Sequence, residues 1–306
     1  MAGSIVVVGS INYDVFLDVA HLPKPNETLI GTGMRTAIGG KGLNQAVACA
    51  AFGVATEMVG AVGDGGFGAQ AVAHLSTHGV GAGHVRTLAG VATGVANIIV
   101  AESGENMIVV TPGANGRLSP ADVEAAAGLI ASASAVVVQL EVPLPAVRRA
   151  LEIARAHGVV TVINPAPVDM AVMALLPLCD LVTPNETELM RLTGISDLSE
   201  ASLSEGLAVL LRAGARNAVV TLGGEGCATL VDGRLVRLPA YQVKAIDATG
   251  AGDVFNGALV ARLIGGAGLV DAMRFAGAAA AISVTRASAD AAPSLAEVEA
   301  LMAQQP

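Results

Sequence analysis

The chain has 306 residues, 53% of them apolar, with 37 glycines and 13 prolines; this length suits one large α/β domain or two modest ones, and the apolar share excludes disorder as the main state. It carries 17 basic and 26 acidic residues for a formal charge of −9, without a Lys/Arg block, and has no Trp, two Tyr and five Phe, which argues against nucleic acid as a partner. No membrane span is expected despite a mean hydropathy of +0.63, because the most apolar stretch, 275–284, meets Thr285 and Arg286 long before the roughly 20 residues a span needs.

In chain order, the apolar run 5–8 follows no basic stretch and closes at Gly9-Ser10, so it is read as a strand and not as a signal peptide. The segments 14–20 with 27–33, and 93–100 with 107–110, alternate and flank turn residues at 23–26 and 103–106. That is the pattern of hairpins. They fall outside the βα rhythm, so a small β-sheet formed by about 14–36 and 93–112 is expected as a lid over an α/β cleft. Helical stretches 120–133 and 145–156 then separate apolar, β-branched runs at 136–138, 159–163, 181–183 and 218–222. Such runs read as strands buried on both faces. The expected fold class is therefore α/β, a mostly parallel central sheet with helices on both faces plus the small lid sheet. Cys49, Cys179 and Cys227 stand far apart without a CxxC pair, which suits reduced thiols in a cytoplasmic protein.

The strongest chemical feature is Asp247-Ala248-Thr249-Gly250-Ala251-Gly252-Asp253 before the helical pattern 254–263. Small residues at a helix start expose backbone N–H groups at its positive end, an anion site. Asp253 beside it could take a proton from an attacking hydroxyl, and an anion hole with a local base is what phosphoryl transfer to an alcohol requires. A plain glycine turn with an N-terminal acid accounts equally well for these letters. Asn12 and Asp14 follow the first strand at alternate positions, suited to two neighbouring hydroxyls or to an Asx turn. Gly39-Gly40-Lys41-Gly42-Leu43-Asn44 lacks Walker spacing. It offers a close backbone, a cation and an amide to a polyhydroxylated ligand, or is simply a glycine loop entering a helix. Asn185 and Glu188 stand one helical turn apart, either near magnesium-bound water or as a capped helix start. The turn 221–226 ends another strand in glycines and suits a nucleotide or a hairpin.

Two further motifs are set aside. Gly63-Asp64-Gly65-Gly66-Phe67-Gly68 fits G-x-G-x-x-G, but no acid follows at 82–92 for a dinucleotide ribose. His74 and His78 share the i, i+4 spacing of a metal pair with no evident third ligand, so a solvated helix face is the better reading.

The segments 9–14, 39–46, Thr93-Gly94-Val95-Ala96, Gly113-Ala114-Asn115, Gln139-Leu140-Glu141, Asn164-Pro165-Ala166-Pro167, 183–188, Thr221-Leu222-Gly223 and 247–253, in this order and spacing, resemble the ribokinase-like (PfkB) carbohydrate kinase family over nearly the whole chain. The resemblance implies a single catalytic domain, 1–306, that transfers the ATP γ-phosphoryl group to a sugar hydroxymethyl group. The expected acceptor is a pentose, D-ribose first; another sugar or a nucleoside is the alternative, and a non-enzymatic sugar-binding protein ranks far below. It implies that Asp253 is the base and that the amides of Gly250, Ala251 and Gly252 hold the developing charge. Asn12, Asp14, Gly40, Lys41, Asn44 and Glu141 would bind the sugar, with Ala96, Ile98 and Val110 lining it from the lid. Asn185, Thr221, Gly223, Gly224 and Gly226 would meet the nucleotide, Gly277 would stand near the adenine, and Glu188 would hold hydrated magnesium. Asp247, Thr249, Ser283, Arg286 and Ser294 would surround a potassium ion. The family also implies a homodimer through the lid sheets. Two departures are visible: Gly277 replaces a polar residue frequent near the adenine, and the loop 287–292 looks about two residues longer than the family pattern and lacks its glycine.

Overall fold

The computed structural model describes residues 3–286 and 292–305. The first half of the chain runs β1 (Ser4–Val8), β2 (Asn12–Val19), β3 (Gly33–Gly39), α1 (Lys41–Ala51), β4 (Ala55–Gly63), α2 (Gly66–Thr77), β5 (Val80–Leu88), β6 (Gly94–Ala101) and β7 (Asn106–Thr111). There follow α3 (Pro120–Ala125), α4 (Ala127–Ser132), β8 (Ala135–Val138), α5 (Leu144–Ala156), β9 (Val160–Ile163), β10 (Leu181–Val182), α6 (Glu186–Thr193) and α7 (Glu200–Arg212). The chain closes with β11 (Asn217–Thr221), β12 (Cys227–Val231), β13 (Arg234–Leu238), α8 (Ala251–Ile264), α9 (Leu269–Ser283) and α10 (Leu295–Gln304).

Among the described residues, nine strands form one sheet in the order β13-β12-β11-β10-β9-β8-β1-β4-β5. Pairing is parallel from β5 to β11, and β12 and β13 add antiparallel. Successive residues of a strand point to opposite faces, and β1 shows the consequence. Ile5 and Val7 join one apolar cluster with residues of α1, α8 and α9, while Val6 and Val8 join another with residues of α3 to α7. All four are fully buried, each worth about 1.5–3 kcal/mol of transfer free energy. From β1 the chain first builds outward through β4 and β5, then returns to build β8 to β11 on the other side. Such a reversal leaves a crevice at the strand C-termini.

The second sheet has the order β3-β2-β6-β7. β6 and β7 form the expected hairpin. The partner of β2 is not at 27–33 as expected: it is β3, with Asp18 opposite Gly33 and Asn12 opposite Gly39. Pro23 and Pro25 have no N–H to give a ladder, and Asn26 has φ +68°, so the stretch from β2 to β3 is a long turn. The 120–133 helix is likewise broken into α3 and α4 at Ala126, which leaves the helical ψ (φ −101°, ψ 9°).

Helix α8 lies deep, with every residue from Asp253 to Ala261 buried. It approaches α1 closely at Gly257, where an added Cβ would stand 2.5 Å from the Ala48 Cβ. This contact brings the first turn of α8 to the first turn of α1 below the crevice.

Candidate active site

Asp253 sits in the first turn of α8, after Gly250 in a left-handed conformation (φ +77°). Its carboxylate is buried and receives the Asn44 amide on Oδ2 at 3.2 Å and the Gln45 amide on Oδ1 at 2.9 Å. Burial drives its pKa upward, and the Lys41 charge and the two amides work against that rise. Lys41 opens α1. Burial disfavours its charge, but Asp253, Glu141 and Glu188 outweigh this and raise its pKa, so the ammonium stays protonated. A cavity of about 230 Å³ is lined by Lys41, Asn185, Glu188, Thr221, Gly250, Gly252 and Asp253, together with Asn164, Ala166, Thr183, Ala248 and Asn256.

The three amides expected to hold the developing charge are not equally placed. The Ala251 amide donates to the Ala248 carbonyl at 3.2 Å and is engaged in closing the turn. Among the described residues, the amides of Gly250 and Gly252 have no such partner, and both residues line the cavity. The positive end of α8 therefore lies at the cavity, with the Gly250 and Gly252 amides not engaged in closing the turn.

The proposed sugar-facing residues converge beside Asp253. Glu141 Oε2 accepts from the Ser10 hydroxyl at 2.6 Å, the Lys41 amide at 3.3 Å and the Asn12 side-chain amide at 3.4 Å. Asn12 Oδ1 is held by Asn115 at 2.7 Å. Gly40 has φ +96°, and a Cβ there would stand 2.8 Å from the Asn12 nitrogen, so only glycine lets α1 start this close to β2. Asp14 is buried, and desolvation with the charges of Glu141 and Asp253 pushes its pKa up to about 7. Among the described residues, Asp14 Oδ1 and Asn44 Oδ1 are buried acceptors without a hydrogen-bond partner. In the lid, Asp14 is opposite Ala96 and Phe16 opposite Ile98, and Ala96 in turn is opposite Val110. Paired residues share a sheet face, so Asp14, Ala96, Ile98 and Val110 lie on the same one. Ala96 and Ile98 pack with Phe16, whereas Val110 on the edge strand is 43% exposed.

Asn185 and Glu188 form a capping box at the start of α6, with Asn185 Nδ2 donating to Glu188 Oε1 at 2.9 Å and the Asn185 backbone to Oε2 at 2.8 Å. The helix-start reading is therefore realised, and the same pair also lines the cavity. Burial raises the Glu188 pKa, and a cation beside it would favour the carboxylate. Among the described residues no group of three His, Cys, Asp or Glu side chains is placed to hold a metal ion directly. A hydrated magnesium ion, reached by Glu188 through water, fits this donor set better than a directly caged one. Thr221 is bridged to Asn185 across the strand ends, while Gly223 to Glu225 form a 3₁₀ turn ending at Gly226. Gly223, Gly224, Gly226 and Gly277 are outside the cavity lining, and Gly277 faces Tyr241, 4.0 Å from where a Cβ would stand.

Around the expected potassium site, Asp247 Oδ1 accepts the Thr249 amide at 2.9 Å. The Val284 carbonyl takes the amides of Ile246 and Asp247. The Ser283 hydroxyl donates to Ala280, Arg286 pairs with Glu297, and Ser294 caps α10. Residues 287–291, in the loop whose length differs from the family pattern, lie outside the described residues.

Sequence reasoning included five further polar residues in its motifs without giving them a role in the site. Ser10, Gln45, Asn115, Gln139 and Asn164 are all at least nine-tenths buried and hydrogen-bonded to the site or to one another. A usable signal exists for two of them: Gln139 and Asn164 directly follow the wholly apolar strands β8 and β9, where side chains emerge into the crevice.

Comparison with known proteins agrees with this geometry. The model of the pfkB family of carbohydrate kinases matches residues 2–295. The chain is 39% identical over 289 residues to a ribokinase of Haemophilus influenzae, covering 94% of each protein. Among solved structures, a ribokinase from Giardia lamblia superposes with a TM-score of 0.90 at 31% identity, covering 97% of this chain and 99% of that one. The structure of Arabidopsis thaliana ribokinase complexed with ribose and ATP has a TM-score of 0.87 at 30% identity, covering 99% of each.

Proposed function

The chain belongs to the pfkB family of carbohydrate kinases, and from that premise we propose that it transfers the γ-phosphoryl group of ATP to the hydroxymethyl group of a pentose, with D-ribose as the preferred acceptor and D-ribose 5-phosphate as product. Asp253 carries this assignment: a buried carboxylate at the positive end of α8, between free helix-start amides and a set of sugar-type hydrogen-bonding groups. The unpaired acceptors Asp14 Oδ1 and Asn44 Oδ1 need donors, and neighbouring hydroxyls of a sugar supply them.

In the reaction, Asp253 accepts the proton as the hydroxymethyl O–H bond breaks. The oxygen forms the new bond to the γ-phosphorus, and the electron pair of the old P–O bond leaves with ADP. The Gly250 and Gly252 amides and the Lys41 ammonium oppose the charge that develops on the phosphoryl oxygens. Glu188 would hold hydrated magnesium, which when bound neutralises phosphate charge. The lid face carrying Asp14, Ala96 and Ile98 covers the sugar and excludes water from the transfer.

The same reading includes three features of the whole protein. Potassium near Asp247 would stiffen the approach to the anion hole. Two copies would pair through their lid sheets, whose β7 residues Met107, Ile108, Val109 and Val110 are exposed. A cytoplasmic location suits three buried thiols whose pKa values burial pushes up to about 12. Proton-coupled phosphorus NMR of the ribose product tests the chemistry. A triplet from a CH₂–O–P linkage is expected, and a doublet from phosphate on a ring CH would contradict the assignment.

A further inference from the structure

Gln45 and Gln139 are fully buried side chains to which the phosphoryl transfer assigns no part. They come from different elements, α1 and the end of β8, and meet below Asp253. Gln139 Nε2 donates to Gln45 Oε1 at 2.6 Å. Gln45 Nε2 then reaches both Asp253 Oδ1 at 2.9 Å and Asn164 Oδ1 at 3.1 Å. Asn164 in turn gives its own amide to the Thr183 carbonyl at 3.0 Å, which leaves its oxygen facing Gln45.

These contacts determine which way each amide points. An ionised carboxylate and an amide oxygen both accept, so the Gln45 NH₂ must face Asp253 and Asn164. Its oxygen must then face Gln139, which has to present its NH₂. The Gln139 oxygen is consequently left against Gly9, where a Cβ would stand 2.0 Å away, and it finds no hydrogen-bond partner among the described residues. A buried unsatisfied acceptor is costly, and here it accompanies an arrangement that aims a donor at the base. We propose that Gln45 is a positioning residue for the Asp253 carboxylate and that Gln139, remote from the reacting atoms, sets the direction of the Gln45 amide.

This inference rests on Asp253 being the base. Other charged groups around Asp253 are Lys41 on α1, Asp14 on β2, Glu141 after β8 and Glu188 on α6. The pair Gln45–Gln139 differs from all of them in being uncharged, so its effect on Asp253 is through hydrogen bonding alone.

The test measures kcat against pH at saturating ribose and ATP for Gln139→Glu, Gln45→Met and the double variant, with both KM values and Tm. In Gln139→Glu an ionised carboxylate accepts where the amide donated, so Gln45 turns over and withdraws its donor from Asp253; because the new charge alone could shift the limb, Gln139→Met, which adds none, must shift it in the same direction. Each single variant is expected to lose about 10- to 100-fold in kcat, as for a lost hydrogen bond to a charged group, with KM values little changed. The acidic limb should move to higher pH, because the Asp253 carboxylate has lost a group that favours its ionised form. Since Gln139 acts through Gln45, the double variant should be no slower than Gln45→Met. Additive losses, or a limb that stays in place in a variant of normal Tm, would overturn the proposal. If Gln139→Glu does not fold, Gln139→Met removes the donor without adding charge and is judged by the same readouts. Asp253→Asn separates the two assignments: retained turnover in that variant means the base itself is wrong, whereas loss there with an unmoved limb in the Gln139 variants refutes the positioning role alone.

Discussion

Asp14, Glu188 and Asp253 share one physical condition: burial raises the pKa of each. For Asp14 the shift, from 3.8 to about 7, makes a signed prediction. Between those two values the folded protein holds a proton that the unfolded chain has released, so stability falls as pH rises across that window. The sugar-free Tm should decline from pH 4 to pH 7, and Asp14→Asn should flatten the decline; an equal slope in both proteins would show that Asp14 is not the titrating group. In turnover above pH 7, where Asp14 is ionised, Asp14→Ala should raise the ribose KM roughly 10- to 100-fold, the worth of hydrogen bonds to a charged group, and leave the ATP KM in place. At this scale the sequence pointed to residues that the structure brings together where they sit in a recognisable turn, as with Asp253 and Lys41 at one cavity and Asn12 beside Glu141. Gln45 was illegible, because an amide within an Ala-rich helix looks the same whether it faces water or a buried carboxylate.

At the scale of elements, the contact of α1 with α8 determines where the Asp253 carboxylate stands relative to Asn44 and Gln45. Gly257→Ala would set a Cβ against Ala48 and the Cys49 nitrogen, 2.5 and 3.0 Å away, and overpacking of this kind costs about 1–3 kcal/mol. A lower Tm and a lower kcat are expected together, with part of both regained on adding Ala48→Gly; a silent Gly257→Ala would mean that the helices separate freely. The parallel strands were readable from their uniform apolar runs, since burial on both faces leaves little room for polar residues. Two features escaped for local reasons. The arm pairing with β2 begins after a long proline-containing turn whose length composition does not set, and α3 and α4 are divided at an alanine that carries no break signal of its own. The Asp247 region carries a further prediction. At fixed ionic strength, potassium should raise kcat above sodium and tetramethylammonium. Equal rates in all three would leave Asp247 as the Thr249 cap that the structure displays and nothing more.

On the scale of the whole molecule, the lid sheet ends in β7, an edge strand exposed along its full length and apolar at Met107, Ile108, Val109 and Val110. Long exposed apolar edges invite pairing with another chain. Sedimentation should therefore show a dimer that Val109→Asp converts to a monomer with a weakened hold on sugar; a wild-type monomer would remove the lid interface from the account. Beneath the lid the few aromatic residues and the many hydrogen-bonding groups favour a small polyhydroxylated acceptor over a nucleoside. The most direct measurement is acceptor-dependent ADP release by the purified protein across pentoses, hexoses and nucleosides. D-Ribose is expected to give the highest kcat/KM, and Asp253→Asn to lower its kcat by about 10²–10⁴, the usual contribution of a general base. A hexose or nucleoside turned over more efficiently than ribose, or an Asp253→Asn variant as fast as wild type, would contradict it.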